Sequence, residues 1–149
     1  MGHSQYQRGA RFERQLKHIL ENKGFYVIRA GQSGGDGVSP DLIALSTTKK
    51  FALECKAWES TGLHFEIQKV QIMRAWEQQT GIPFYVAWKQ NREEWRFFPL
   101  FLLKENPKGY SLTRNDYAAG MTLEILLEPA LKTASERPVS PPETPPTPS

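Results

Sequence analysis

The chain has 149 residues and a formal net charge of +3, enough for one compact domain with its own core. No apolar run approaches the roughly 20 residues that span a bilayer, and no charged-then-apolar leader opens the sequence, so neither a membrane protein nor an exported one is expected. Cys55 is the single cysteine, which rules out an internal disulfide or a cysteine-based zinc cage and points to the cytoplasm. Taken in chain order, Phe12, Leu16, Ile19 and Leu20 recur at helical spacing and predict a helix over residues 5–23, stopped by Gly24. Residues 25–30 are β-branched and aromatic and predict a strand; residues 31–40 form a loop with four glycines. Strands follow at 41–46 and 51–58, joined by a tight turn at 47–50. A second helix over 65–79 closes at Thr80-Gly81, and strands at 83–88 and 94–100 flank a turn at 90–93. After Asn106-Pro107 the pattern weakens, and 113–119 and 122–127 read as short helices with Thr113 and Thr122 as N-caps.

This order, αβββαββ, implies an α/β fold: a mixed five-stranded sheet flanked by helices, with a small C-terminal helical appendix. The folded domain is expected over residues 1–131. Residues 132–149 read as a disordered tail, because six of the last twelve residues are proline and little apolar surface is available to offset chain entropy. Such a tail is either plainly solvated or a polyproline ligand for a protein partner. Charge is unevenly spread. Residues 1–30 carry six Lys or Arg against two Glu, a net of +4, while the remainder sums to −1. That distribution, with Arg8 and Arg11 near its start, suits either a polyanion such as DNA or a solvated basic helix face.

The chemistry concentrates in the strands from 41 to 58. Side chains alternate along a strand, so Glu54 and Lys56 share one face while Phe51, Leu53 and Cys55 share the other. Two ionisable groups in mid-strand cost free energy unless they pair with each other or with a bound ion. Asp41 opens the neighbouring strand. Two carboxylates with a lysine beside them are what phosphodiester hydrolysis needs. Hard oxygen ligands hold Mg²⁺, the ion polarises the phosphate and activates water, and the lysine stabilises the charge that builds. Glu13, on the flank of the first helix's buried stripe, either extends such a metal site or pairs with Lys17 one turn on. A surface Glu–Lys pair is the simpler reading of Glu54 and Lys56 alone.

Together these residues form the PD-(D/E)xK pattern. The run GARFERQLKHILENKGFYVIRAGQSG from Gly9, then PDLIAL, then FALECKAWES, resembles the archaeal-type Holliday junction resolvases of that nuclease superfamily, over about residues 8–100. The resemblance implies a restriction-endonuclease-like fold and a homodimer that nicks two opposed strands of a four-way junction with Mg²⁺ or Mn²⁺. It assigns Glu13, Asp41 and Glu54 to the metal, and Lys56 and Ser33 to catalysis with them. It ties Arg14 and Arg29 to the junction. The sequence departs from the compact family pattern in a longer loop at 34–40, where Asp36 is an extra acid, and in everything after Leu100. The alternatives are a superfamily nuclease acting on duplex, flap or mismatched DNA, a DNA-binding module with a decayed site, and an adaptor working through its tail.

Lesser features complete the reading. The glycine loop lacks the G-K-[S/T] ending of a phosphate-binding P-loop. His3, His18 and His64 make no metal-ligand pattern. Gln68 and Gln71 read as surface polars of the second helix, and Ile72 and Trp76 as part of a dimer interface. Trp58 follows the Glu54 strand and can pack or touch substrate. Lys89 ends a strand beside the site, where it either adds positive charge for the junction or is simply solvated.

Overall fold

The computed structural model describes residues 2–30, 38–59 and 61–129. Its first helix, α1 (Gly2–Asn22), buries Phe12, Leu16 and Leu20, spaced four apart on one stripe. Gly24, at φ 95°, takes the left-handed turn that releases the chain into β1 (Tyr26–Arg29). Then β1, β2 (Leu42–Leu45) and β3 (Lys50–Ala57) form an antiparallel meander, with Arg29 opposite Leu42 and Leu42 opposite Leu53. The chain leaves β3 through β4 (Gly62–Phe65) and α2 (Ile67–Thr80) and returns as β5 (Phe84–Lys89), parallel to β3. β6 (Arg96–Pro99) closes the sheet, whose order is β1-β2-β3-β5-β6. The five-stranded mixed sheet expected from sequence is thus present, with β3 at its centre.

Both faces of that sheet are covered. On one side α1 sets Phe12, Leu16 and Leu20 against Leu42, Phe51, Leu53, Ala87 and Phe97. On the other, Val70 and Met73 of α2 meet Ala52, Phe84, Val86, Trp88 and Phe98. A strand covered on both faces reads as a continuous apolar run, as Phe51-Ala52-Leu53 does. Each large side chain so buried contributes about 1.5–3 kcal/mol. Trp88 is wholly buried, and Trp76 packs edge-on against Phe84 with ring centroids 5.6 Å apart.

Three segments differ from expectation. Phe65 ends β4 and does not open the second helix, which starts at Ile67. Beyond a short 3₁₀ turn (Leu100–Leu102), β7 (Lys104–Asn106) and β8 (Gly109–Thr113) pair with β4 as a second, three-stranded sheet in the order β4-β8-β7. These strands are three to five residues long and partly polar, too short for alternation to stand out. The fit between them is tight: a Cβ on Gly109, at φ 143°, would lie 2.3 Å from the Phe65 carbonyl oxygen. The segment read as a helix at 113–119 is a 3₁₀ helix (Arg114–Ala119), with Thr113 and Asp116 forming a reciprocal capping box. Thr122 caps α3 (Leu123–Leu127) by accepting from the Ile125 N–H. The loop residues Ser33 and Asp36 and the tail 132–149 lie outside the described residues. Among those described, no helix is long and apolar enough to cross a membrane.

Candidate active site

β3 carries the site where its apolar run ends. Glu54 follows Leu53 directly and is buried, with its side chain only 9% exposed. Asp41 stands just before β2. Its N–H donates to the Leu53 carbonyl at 2.9 Å, and its Oδ2 accepts from the Cys55 N–H at 2.8 Å. Those two bonds straddle Glu54 and fix the Asp41 carboxylate beside it. Two carboxylates this close raise each other's cost of ionisation. Burial first, and then the Asp41 charge, push the Glu54 carboxyl up to about 7, against the opposing pull of Lys69 and Lys56.

Glu54 and Lys56 face α2, whereas Leu53 and Cys55 face α1. The Lys56 ammonium lies 5.8 Å from the ring centroid of Phe65, so β4 backs the lysine with an aromatic face. Lys69, three residues into α2, brings its ammonium to 2.9 Å from Glu54 Oε2. The two are drawn together by charge, and Lys69 pulls the Glu54 carboxyl down against its burial. The sequence reading did not single out Lys69. Gln68 and Gln71, which it did consider on that helix, are exposed.

Glu13 approaches from the other side of the sheet. Arg29 Nε donates to its Oε1 at 2.8 Å, while Lys17 pairs with Glu21 at 3.2 Å. The Glu13 carboxyl is raised by burial and then by Asp41, while Arg29 and Arg14 draw it down. The Cys55 thiol is held well above its ordinary range, by burial first and then by Asp41, Glu13 and Glu54. All three carboxylates therefore bear electrostatically on one residue of β3, Glu13 from the α1 side. Among the described residues no three acidic, histidine or cysteine side chains converge tightly enough to hold a metal ion by themselves. Asp41 and Glu54 do fit one: they are hard oxygen donors on paired strands, and Glu54 already draws a cation, the Lys69 ammonium, to 2.9 Å.

The basic residues divide into two groups. Arg8, Arg11 and Arg14 are exposed along α1. Arg8 stacks 4.8 Å over Trp58, and Trp58 meets Phe12 edge-on at 5.4 Å. Trp58 leaves β3 at φ 71°, a conformation unusual for a bulky residue. Lys89 is engaged elsewhere: its ammonium donates to the Glu93 carbonyl at 2.7 Å and so holds the turn between β5 and β6.

Known proteins resemble this chain over most of its length. A family model described as archaeal Holliday junction resolvase (Hjc) matches residues 4–134. The chain is 32% identical over 120 residues to the crossover junction endodeoxyribonuclease Hjc of Archaeoglobus fulgidus, covering 78% of this chain and 86% of that protein. It is 36% identical over 105 residues to the protein of the same description from Methanocaldococcus jannaschii, covering 70% and 75%. The solved structure of Archaeoglobus fulgidus Hjc superposes with a TM-score of 0.72 at 28% identity, over 80% of this chain and 94% of that one.

Proposed function

The chain belongs to the archaeal Holliday junction resolvase family, a family of crossover junction endodeoxyribonucleases, and we propose that it resolves four-way DNA junctions through Asp41, Glu54 and Lys56. The observation that supports this reading is the Asp41 carboxylate hydrogen-bonded to β3 at Cys55, beside a buried Glu54 and two residues from Lys56. Asp41 and Glu54 would hold Mg²⁺, or Mn²⁺ in its place. When bound, the ion polarises a phosphate oxygen and lowers the pKa of a bound water. Water adds to phosphorus, one P–O bond breaks, and the departing oxygen takes up a proton. Lys56 sets its ammonium where negative charge grows on the phosphate. Glu13, paired with Arg29, would reach the ion through water from the α1 side. Arg8, Arg11, Arg14 and Arg29 meet the DNA backbone. Lys89 joins this set as a further cation, its ammonium also donating to the Glu93 carbonyl.

One chain carries one such site, so symmetrical cutting of two strands calls for a homodimer. Ile72 and Trp76 on α2 are the proposed contact. Trp76 also packs on Phe84, so Ile72→Glu is the cleaner disruption. Sedimentation of that variant as an unaltered dimer would remove α2 from the interface. The deciding assay sets a labelled immobile four-way junction against the matching linear duplex, with Mg²⁺ and with EDTA. Metal-dependent paired nicks in opposed arms, absent for Asp41→Asn, are expected. Equal cutting of the linear duplex would remove the junction selectivity and leave a general nuclease.

A further inference from the structure

Lys69 is the charged residue near the site that the catalytic reading does not use. It stands in the first turn of α2, where a cation opposes the helix dipole, and that turn contains no acidic residue to offset it. What compensates it lies beneath the helix on β3: its ammonium is 2.9 Å from Glu54 Oε2. The two partners differ in freedom. The Glu54 side chain is 9% exposed and fixed in mid-strand, whereas the Lys69 side chain is 30% exposed on a flexible four-carbon stem. The contact is an ion pair between a fixed carboxylate and a mobile ammonium. If one partner gives way, it is the lysine.

We propose that Lys69 is a displaceable internal cation: it occupies Glu54 until a divalent ion takes the carboxylate, and the freed ammonium then engages the DNA backbone as a phosphate-positioning residue. The proposal rests on the reading of Asp41 and Glu54 as metal donors. A divalent ion carries twice the charge of an ammonium and repels it at contact distance. Displacement therefore follows from occupancy of the same oxygen. Once released, Lys69 stands beside Lys56 at the rim of the site, and a phosphate that accepts it removes the metal's competitor. Metal and DNA then favour each other's binding, as linkage requires. The idle protein holds its ion weakly and the DNA-bound protein holds it well.

The test is calorimetric titration of the DNA-free full chain with Mn²⁺, comparing wild type, Lys69→Met, Lys69→Arg and Asp41→Asn. Removing the competitor in Lys69→Met should tighten Mn²⁺ binding roughly tenfold, the scale of one lost charge interaction. Lys69→Arg holds the carboxylate more firmly and should weaken it. Affinity in Lys69→Met equal to or below wild type overturns the proposal. Where Lys69→Met does not fold, Lys69→Arg decides, and unchanged affinity there overturns it equally. Wild type binding no better than Asp41→Asn overturns the metal reading itself, and the proposal with it. Junction cleavage against Mg²⁺ concentration tests the second half. Lys69→Met should half-saturate at lower Mg²⁺ and reach a lower plateau rate, and an unchanged plateau overturns the phosphate role.

Discussion

The two halves of β3 do opposite work. From Phe51 to Leu53 every side chain is fully buried, with aliphatic or aromatic groups on both faces. From Glu54 to Ala57 the strand keeps its pairing with β5 but carries a buried carboxylate, a thiol among acids and a lysine, and a left-handed tryptophan follows it. The first half contributes stability. The second half is held in place by the first and costs stability, because like charges share a poorly solvated site. A catalytic strand can carry this cost where a neighbouring run of core residues already fixes the backbone.

Substitutions at the two ends should separate these roles. The largest effect is expected from Asp41→Asn, which removes a charge from the proposed metal pair and leaves the hydrogen bond to Cys55 possible. Junction cleavage should fall on the order of a thousandfold, with the melting temperature preserved or raised. At the other end, Phe51→Ala should cost about 3–5 kcal/mol in urea unfolding while the folded fraction still cleaves. Loss of cleavage in proportion to the Asp41 variant would erase the distinction.

A subtler test uses pH. The Glu54 carboxyl is raised to about 7 from 4.5, so between those values the folded protein holds a proton that the unfolded chain does not. Stability of the metal-free protein should therefore fall as pH rises from about 4.5 through 7, by up to about 3 kcal/mol. Glu54→Gln should flatten that slope in denaturant titrations at several pH values, and an equal slope in the variant would assign the proton elsewhere. The smallest effect belongs to a pair outside β3. Lys104 meets Asp116 at 2.7 Å with its own side chain 64% exposed, so Lys104→Met should change stability by about 0.5 kcal/mol or less and leave cleavage intact. A larger loss would extend the structural region into the second sheet.

The sequence made one end of the molecule far more legible than the other. The Phe12, Leu16, Leu20 stripe and the strand pair around Thr47 follow local periodicity, and period two along β3 was enough to put Glu54 and Lys56 on one face. The second sheet was not legible, because β4 is four residues of Gly-Leu-His-Phe and its partner β8 lies more than 40 residues away. Lys69 was missed for a related reason. Nothing in its own turn of α2 marks it, and only the packing of that helix over β3 brings it to Glu54. Glu13 was placed on the edge of the buried stripe, but its partner is Arg29 on the next strand and not Lys17 on its own helix.

The parallel pairing of β3 with β5 also has a consequence in time. The β2–β3 hairpin closes over a few residues and can form early, which brings the Asp41 and Glu54 charges together without Lys69 beside them. Their neutralising lysine and the strand that seals the centre of the sheet arrive only after β4 and α2 have been made. A chain emerging from synthesis thus carries its carboxylates before it can hold them steady. The site is complete only when the crossover has docked, so a molecule without that docking has the two acids but not the strand and the lysine packed against them.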